Sequence, residues 1–183
     1  MKVNEIFYSL QGEGRWTGHA AVFVRLSGCN RACPFCDTDF SRATEMTESE
    51  IVDAVAAYPA GALTVITGGE PALQLTPSLV DALHRAGRRV HVETNGSLPL
   101  PDAVDWVTCS PKTPPYAITR IDELKLVLTP GCDPEAVAAM LPPAAVYSLQ
   151  PLSCSNTDAC IAYIKSHPRW SLSLQTHKLL NIR

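Results

Sequence analysis

Long apolar runs are missing from this chain: nothing in its 183 residues approaches the ~20 consecutive apolar side chains that span a bilayer. The opening residues, Met1-Lys2-Val3-Asn4-Glu5, also lack the charged-then-apolar layout of a secretion signal, so the sequence reads as cytoplasmic with no membrane partner. An excess of one charge is missing as well. The 15 basic and 18 acidic residues are well mixed and leave a net charge of −3, which supplies no basic field for nucleic acid. No Gly/Ser linker, low-complexity tract or internal repeat divides the chain, and residues 1–183 read as a single domain. A secreted disulfide framework is not indicated either, because the seven cysteines are odd in number and three of them fall between Cys29 and Cys36. That grouping points to metal ligation in a reducing compartment.

From Ala21 onward, short β-branched runs alternate with short amphipathic segments, the pattern of parallel strands joined by helical crossovers. Strands are predicted over Ala21–Leu26, Leu63–Thr67, Arg89–Thr94, Trp106–Cys109, Leu124–Leu128, Val146–Leu149 and Leu172–Gln175. A helix is predicted to start at Thr47, whose hydroxyl caps while Glu50 reaches back, with Ile51, Ala54, Val55 and Tyr58 on one face. Thr76-Pro77 opens a second helix that Gly87 closes, and Pro134–Leu141 and Thr157–Ser166 supply two more. The proline-rich stretch 111–115 interrupts the alternation with an ordered loop.

Polar motifs follow the strands at regular places: Gly28-Cys29, Gly68-Gly69-Glu70-Pro71, Asn95-Gly96, Ser110-Pro111-Lys112, Gln150-Pro151 and Thr176-His177-Lys178. In β/α barrels and open α/β sheets the loops at the carboxyl ends of strands build the active site, so these motifs are expected to converge on one mouth.

The spacing Cys29-x3-Cys33-x2-Cys36 lets a short loop wrap one corner of a small cluster. A [4Fe–4S] cluster normally takes four cysteines, so three local ligands leave one iron open to a cofactor. The alternative is a structural zinc site completed by a distant ligand such as Cys109, although no second C-x2-C or H-x3-H pair is present. His19, His84, His91 and His167 lack metal-ligand spacing and read as structural or solvated, while Cys109, Cys132, Cys154 and Cys160 are scattered and read as free thiols.

The loop Gly28-Cys29-Asn30-Arg31-Ala32-Cys33-Pro34-Phe35-Cys36-Asp37 resembles the signature of the radical S-adenosylmethionine (SAM) superfamily, and Thr67-Gly68-Gly69-Glu70-Pro71 resembles its glycine-rich motif. Within that superfamily the chain resembles the 7-carboxy-7-deazaguanine synthases. That resemblance rests on Ser9-Leu10-Gln11-Gly12-Glu13-Gly14, Phe23-Val24-Arg25, Cys36-Asp37-Thr38, Glu93-Thr94-Asn95-Gly96, Ser110-Pro111-Lys112, Gln150-Pro151 and Gln175-Thr176-His177-Lys178, and it covers nearly the whole length. It implies an α/β fold, an incomplete (β/α) radical SAM barrel on a mostly parallel sheet. It also implies a lyase of 7-deazapurine (queuosine) biosynthesis that converts 6-carboxy-5,6,7,8-tetrahydropterin to 7-carboxy-7-deazaguanine with release of ammonia.

The same resemblance implies a [4Fe–4S] cluster on Cys29, Cys33 and Cys36, SAM, Mg²⁺ on Thr38, an electron donor such as flavodoxin or ferredoxin, and a homodimer. By matching motif, SAM falls to Phe35, Cys36, Asp37, Gly69, Ser110, Pro111, Lys112, Gln150, Pro151, Leu152 and Ser153. The pterin falls to Leu10, Gln11, Gly12, Glu13, Arg25, Thr67, Gln175 and His177. Chemically, a pterin offers an amide and amine edge suited to Gln and Glu, and a carboxylate suited to Arg. Lys112, in a proline-rich loop, also reads as a solvated surface lysine. Only Asp39–Met46 separate Thr38 from the first predicted helix, so an element of a full barrel is expected to be absent. A radical SAM activase of a partner protein, or a non-catalytic iron-sulfur or zinc sensor, would share the cysteine loop without requiring the two ends of the chain.

Overall fold

The computed structural model describes residues 1–36, 38–39 and 42–183. Its elements are β1 (Lys2–Leu10), β2 (Ala20–Leu26), β3 (Thr44–Glu45), α1 (Glu48–Ala56), β4 (Leu63–Gly68), α2 (Pro77–Arg85), β5 (Val90–Thr94), β6 (Trp106–Cys109), β7 (Glu123–Leu128), α3 (Pro134–Ala138), β8 (Val146–Pro151), α4 (Thr157–Ser166), β9 (Trp170–Leu172) and α5 (Thr176–Leu180). Among the described residues all nine strands form one sheet in the order β3-β1-β2-β4-β5-β6-β7-β8-β9. Every pairing from β2 to β9 is parallel, and β1 runs antiparallel to both β2 and β3. Among the described residues no ladder joins the two ends of the sheet, so the barrel is open.

Local chemistry sets the helix starts. Thr47 Oγ1 accepts from Glu50 N while Glu50 Oε2 accepts from Thr47 N, which satisfies two of the amide groups a helix start leaves unpaired. Thr76 caps α2 ahead of Pro77, and Asp133 caps α3 ahead of Pro134. The third helix ends earlier than Leu141, because Pro142 disfavours helical dihedrals in the residue before it.

Two connections lack helices among the described residues: 95–105 between β5 and β6, and the proline-bearing 110–122 between β6 and β7. Between Thr38 and α1 there is likewise no helix among the described residues, as the short spacing predicts.

Beyond the early end of α3 and the short unpredicted β3, the two ends of the chain differ from the sequence reading. The antiparallel strand β1 precedes the predicted alternation. The last strand covers Trp170–Leu172 rather than Leu172–Gln175, because Trp170 is buried against Tyr147 and Tyr163 and fixes the register Tyr147↔Trp170. Residues 173–175 are thereby released, and Thr176-His177-Lys178 begins α5 instead of ending a strand.

Strand alternation splits the sheet into two faces. The outer face carries Val22, Val24, Leu26, Ile66, Val92, Leu124 and Leu149, which pack with Ile51, Val55, Leu79, Val80, Leu83 and Cys160 from the helices. The inner face is divided. On β1, β2 and β4 it is apolar, with Phe7, Ala21, Phe23, Leu63 and Val65 forming a small second core against Trp16. On β5 to β8 it bears Glu93, Thr108, Glu123, Lys125, Ser148 and Gln150. Packing alone gives a sheet no reason to turn that many polar side chains inward.

Candidate active site

The inner face encloses a cavity of about 380 Å³, within the range of small-molecule sites. Its mouth is built where the strands end. Gly69 N donates to Leu26 O and Glu70 N to Gly28 O, both at 2.9 Å, so the turn after β4 lies directly on the loop after β2. A Cβ on Gly69 would stand 1.8 Å from the Gly28 carbonyl oxygen, and Gly68 has φ +113°. This approach requires glycine at both positions.

Glu70, fully buried, accepts from Ala72 N (3.0 Å), Thr94 Oγ1 (2.7 Å) and Asn95 N (2.7 Å), which binds the turn after β5 to the turn after β4. Asn95 Nδ2 then donates to Asn30 Oδ1 inside the cysteine loop at 3.0 Å.

Cys29, Cys33 and Cys36 all line this mouth as free thiols. Burial pushes the Cys29 thiol above its ordinary pKa, opposed by a hydrogen bond from the Arg31 backbone. Among the described residues no three Cys, His, Asp or Glu side chains converge on a single ion position. Thiolates around one tetrahedral ion bonded at about 2.3 Å must nearly touch. Cys29, Cys33 and Cys36 stand on one loop at the mouth, and three thiols there suit a cluster that leaves one iron open. Cys109, the proposed fourth zinc ligand, sits in the outer core with its thiol pushed up to about 12 by burial, away from the cavity.

Around the mouth, Phe35 lies with its ring centroid 5.6 Å from Lys112 Nζ, and that ammonium donates to Ser110 Oγ at 2.8 Å. Lys112 is therefore a cavity residue, not a solvated surface lysine. Pro111 is buried between Ser110 and Lys112 but does not line the cavity. Gln150, Pro151, Leu152 and Ser153 line it from the end of β8, where Ser153 and Cys154 both adopt positive φ, 46° and 61°. Left-handed backbone in consecutive non-glycine residues costs on the order of 1–3 kcal/mol each and tends to mark ligand clamps. Thr38 also lines the cavity, and Asp37 lies outside the described residues.

The floor comes from the opposite end. Because β1 is antiparallel, the loop from Gln11 to His19 closes the amino ends of the parallel strands, where Trp16 meets His91 and Trp106 edge-on at 5.1 and 5.5 Å. Buried Glu123 anchors this loop by accepting from Arg15 N at 3.0 Å, while Gly14 N donates to Ser173 Oγ at 2.9 Å.

From the floor a chain of polar side chains rises. Gln11 Nε2 donates to Glu93 Oε1 (2.9 Å), Lys125 Nζ donates to Glu93 Oε2 (3.1 Å) and Glu13 Oε2 (2.6 Å), and Gln175 Nε2 donates to Glu13 Oε1 (2.9 Å). Burial alone would raise the Glu13 carboxyl, but the charge and hydrogen bond of Lys125 and the bond from Gln175 outweigh it and hold the pKa at about 2. Burial likewise opposes the Lys125 ammonium, and Glu13 and Glu93 outweigh it, raising that pKa.

The segment after β9 bridges the open side of the barrel. Thr176 N and Oγ1 both donate to Gly12 O at 2.9 Å, and His177 packs so closely that a Cβ on Gly12 would stand 2.3 Å from its Nδ1. Farther along, Arg183 pairs with Glu5, and Glu5 Oε1 accepts from Arg25 Nε at 3.0 Å. Arg25 stands 5.5 Å from the centroid of Phe7, whose ring stacks on Phe23 at 4.9 Å.

Of the residues singled out in the sequence, all those in the described part line this one cavity except Pro111. Leu10, Gln11, Gly12, Glu13, Arg25, Gln175 and His177 do so from below and from the open side, and Thr67 with the remainder from the mouth. Sequence reasoning missed Glu93, Lys125, Phe7 and Phe23 as lining residues. The available signal was charge at the inward positions of otherwise apolar strands. The arrangement is a slot with a stacked aromatic wall, a hydrogen-bonding wall opposite, an arginine at one side and three free thiols at the entrance.

A profile of the radical SAM superfamily matches residues 23–134. The 7-carboxy-7-deazaguanine synthase of Bacteroides thetaiotaomicron is 52% identical over the whole chain and 98% of its own length. The enzyme of the same name from Burkholderia multivorans is 42% identical over 98% of each chain. The crystal structure of QueE from Escherichia coli superposes with a TM-score of 0.78 at 29% identity, covering 94% of this chain and 92% of that one.

Proposed function

The chain belongs to the 7-carboxy-7-deazaguanine synthase family of radical SAM enzymes, and from that premise we propose that it converts 6-carboxy-5,6,7,8-tetrahydropterin to 7-carboxy-7-deazaguanine with release of ammonia, on the route to queuosine. The observation that carries this reading is the two-sided slot beside three free thiols. The planar pyrimidinone ring of the pterin stacks on the aromatic side formed by Phe7 and Phe23, while its amide and amine edge meets Gln11, Glu13 and Gln175. Arg25 receives the carboxylate, since guanidinium forks match that group. Gly12 keeps His177 close to the ring by leaving no side chain between them.

The donor set fits the cluster and SAM: Cys29, Cys33 and Cys36 would hold the cluster through three thiolates, and Phe35, Gly69, Ser110, Lys112 and the 150–153 turn would receive SAM. Held there, this pair would supply radical chemistry, the abstraction of a hydrogen atom from the pterin carbon that faces the mouth. Within the chain, Arg25 and the Gln11–Glu13 motif fix which carbon faces the mouth, and the Trp16 floor excludes water from below. Thr38 offers a hydroxyl oxygen at the cavity wall, which suits Mg²⁺, a hard cation that keeps its waters and takes further ligands from substrate. A reduced flavodoxin or ferredoxin is the proposed electron source, and a homodimer the proposed assembly.

The test is anaerobic reconstitution followed by incubation with reductant, SAM and the carboxy-tetrahydropterin, with product identified by mass. Deazaguanine formation is expected. Protein that holds iron and sulfide and cleaves SAM yet yields no such product sinks the assignment.

A further inference from the structure

The structure assigns to Lys125 a part that no motif announces: Lys125 is a specificity-determining positioning residue whose ammonium keeps Glu13 an acceptor on both oxygens, so that the site selects a ring edge bearing two adjacent N–H donors. The inference rests on the pterin reading above and goes beyond it, from which residues touch the ring to what sets their hydrogen-bonding sense.

Lys125 occupies an inward position of β7, within Glu123-Leu124-Lys125-Leu126-Val127-Leu128, and its side chain is 3% exposed. A lysine buried that deeply persists only if paired. Its pairing is double, to Glu13 from the floor loop and to Glu93 from β5. The other charged or titratable groups facing this centre are Glu123 on the same strand, taken up by Arg15 N and Ser148 Oγ, then Lys112 from the 110–122 connection and His177 from α5. Lys178 donates to Gln175 Oε1 at 2.9 Å. Among the described residues Lys125 is the ammonium that touches Glu13 directly.

An ionised carboxylate offers only acceptors, about four lone-pair sites, of which Lys125 and Gln175 take two and leave the rest toward the cavity. A protonated carboxyl offers one donor and one acceptor. The 2-amino-4-oxo edge of a pterin presents the amino group and the ring N3–H side by side, two donors matched to two acceptors. In a lumazine, the 2-oxo analogue, the amino donor becomes a carbonyl acceptor, which matches the protonated carboxyl instead. Lys125 therefore decides between the two edges without touching either. Without the ammonium, burial remains and drives Glu13 toward protonation.

The test compares affinities of the cluster-loaded enzyme for 6-carboxypterin and 6-carboxylumazine across the neutral pH range. Wild type is expected to prefer the pterin by about tenfold or more, the consequence of leaving one buried polar group unmatched. Lys125→Met is expected to lose most of that preference, with partial return as pH rises and Glu13 ionises. Lys125→Arg is expected to keep it, and SAM cleavage without pterin is expected to survive in every variant.

Where methionine at this site prevents folding, Lys125→Gln makes the same neutral comparison. A neutral variant with the wild-type preference and a flat pH profile overturns the proposal, as does an arginine variant that has lost the preference. A wild-type enzyme that neither binds 6-carboxypterin nor turns over the carboxy-tetrahydropterin overturns the pterin reading itself, an outcome distinct from the first two.

Discussion

Glu70 holds the mouth of the barrel together, and the cost of disturbing it follows from its three bonds. Its Oε1 accepts from Ala72 N and Thr94 Oγ1, and its Oε2 from Asn95 N, in a site with no exposed surface. Glu70→Gln preserves the shape. The amide oxygen can replace only one carboxylate oxygen, so the NH2 group must face a donor, most directly Asn95 N. One buried donor then goes unmatched at about 1–3 kcal/mol, and a charge-assisted bond is lost at a similar scale. The neutral amide recovers part of that by avoiding the burial of a charge.

A net loss of about 2–4 kcal/mol is expected, which for a chain of this size lowers Tm by roughly 5–15 °C. Thermal unfolding of the apo-protein, followed by circular dichroism, measures it. Because Glu70 N also bonds Gly28 O beside Cys29, iron uptake on reconstitution is expected to fall with it. A Tm within about 2 °C of wild type would refute the reasoning, since no buried donor could then have been left unmatched.

The architecture was legible where periodicity and capping agree. The strand Trp106–Cys109 and the helix Thr157–Ser166 fall where the sequence places them, and Thr47 with Glu50 forms the box its spacing predicts. The first strand escaped because it precedes the α/β alternation and pairs antiparallel, so no crossover pattern announces it. The last strand was misplaced because Leu172-Ser173-Leu174 alternates like a strand. The anchor is Trp170, and only tertiary packing against Tyr147 reveals that.

At the site, the rule that motifs gather at strand carboxyl ends holds for the cysteine loop, Gly68-Gly69 and Ser110. It does not describe Gln11 to Glu13, which enter from beneath on a loop that only the antiparallel β1 explains. Glu93 stood inside a recognised motif and Lys125 inside an apolar run, yet neither could be read as a site residue. Their partners, Glu13 at 112 residues from Lys125 and Gln11 at 82 residues from Glu93, meet them only in the folded barrel. Spacing within a segment records local geometry and is silent about bonds of that reach.

Other perturbations follow from the same geometry. Gly12→Ala would set a Cβ against His177 and push α5 from the floor loop, and a misplacement of that size is expected to lower kcat/KM for the pterin by about 100-fold while SAM cleavage without substrate persists. Glu5→Gln weakens the hold on Arg25 in a pair whose side chains are 26% and 27% exposed, so KM should rise by about two- to fivefold, and an unchanged KM would show that Arg25 is held by Phe7 alone.

The floor also carries a pH liability. His91 is 3% exposed beneath Trp16, and burial, followed by the nearby Arg89, lowers its pKa to about 4 against an ordinary value of 6.5. The unfolded chain therefore binds a proton there that the folded chain refuses, so His91 contributes a loss of stability as pH falls from 6.5 to about 4 and nothing above that window. In His91→Phe, urea midpoints measured across that window should decline less steeply than in wild type. Parallel slopes would mean that His91 does not set the acid sensitivity of that window, since the stabilising charge of Glu13, with a pKa of about 2 against an ordinary 4.5, is lost only as pH falls from about 4.5 to about 2.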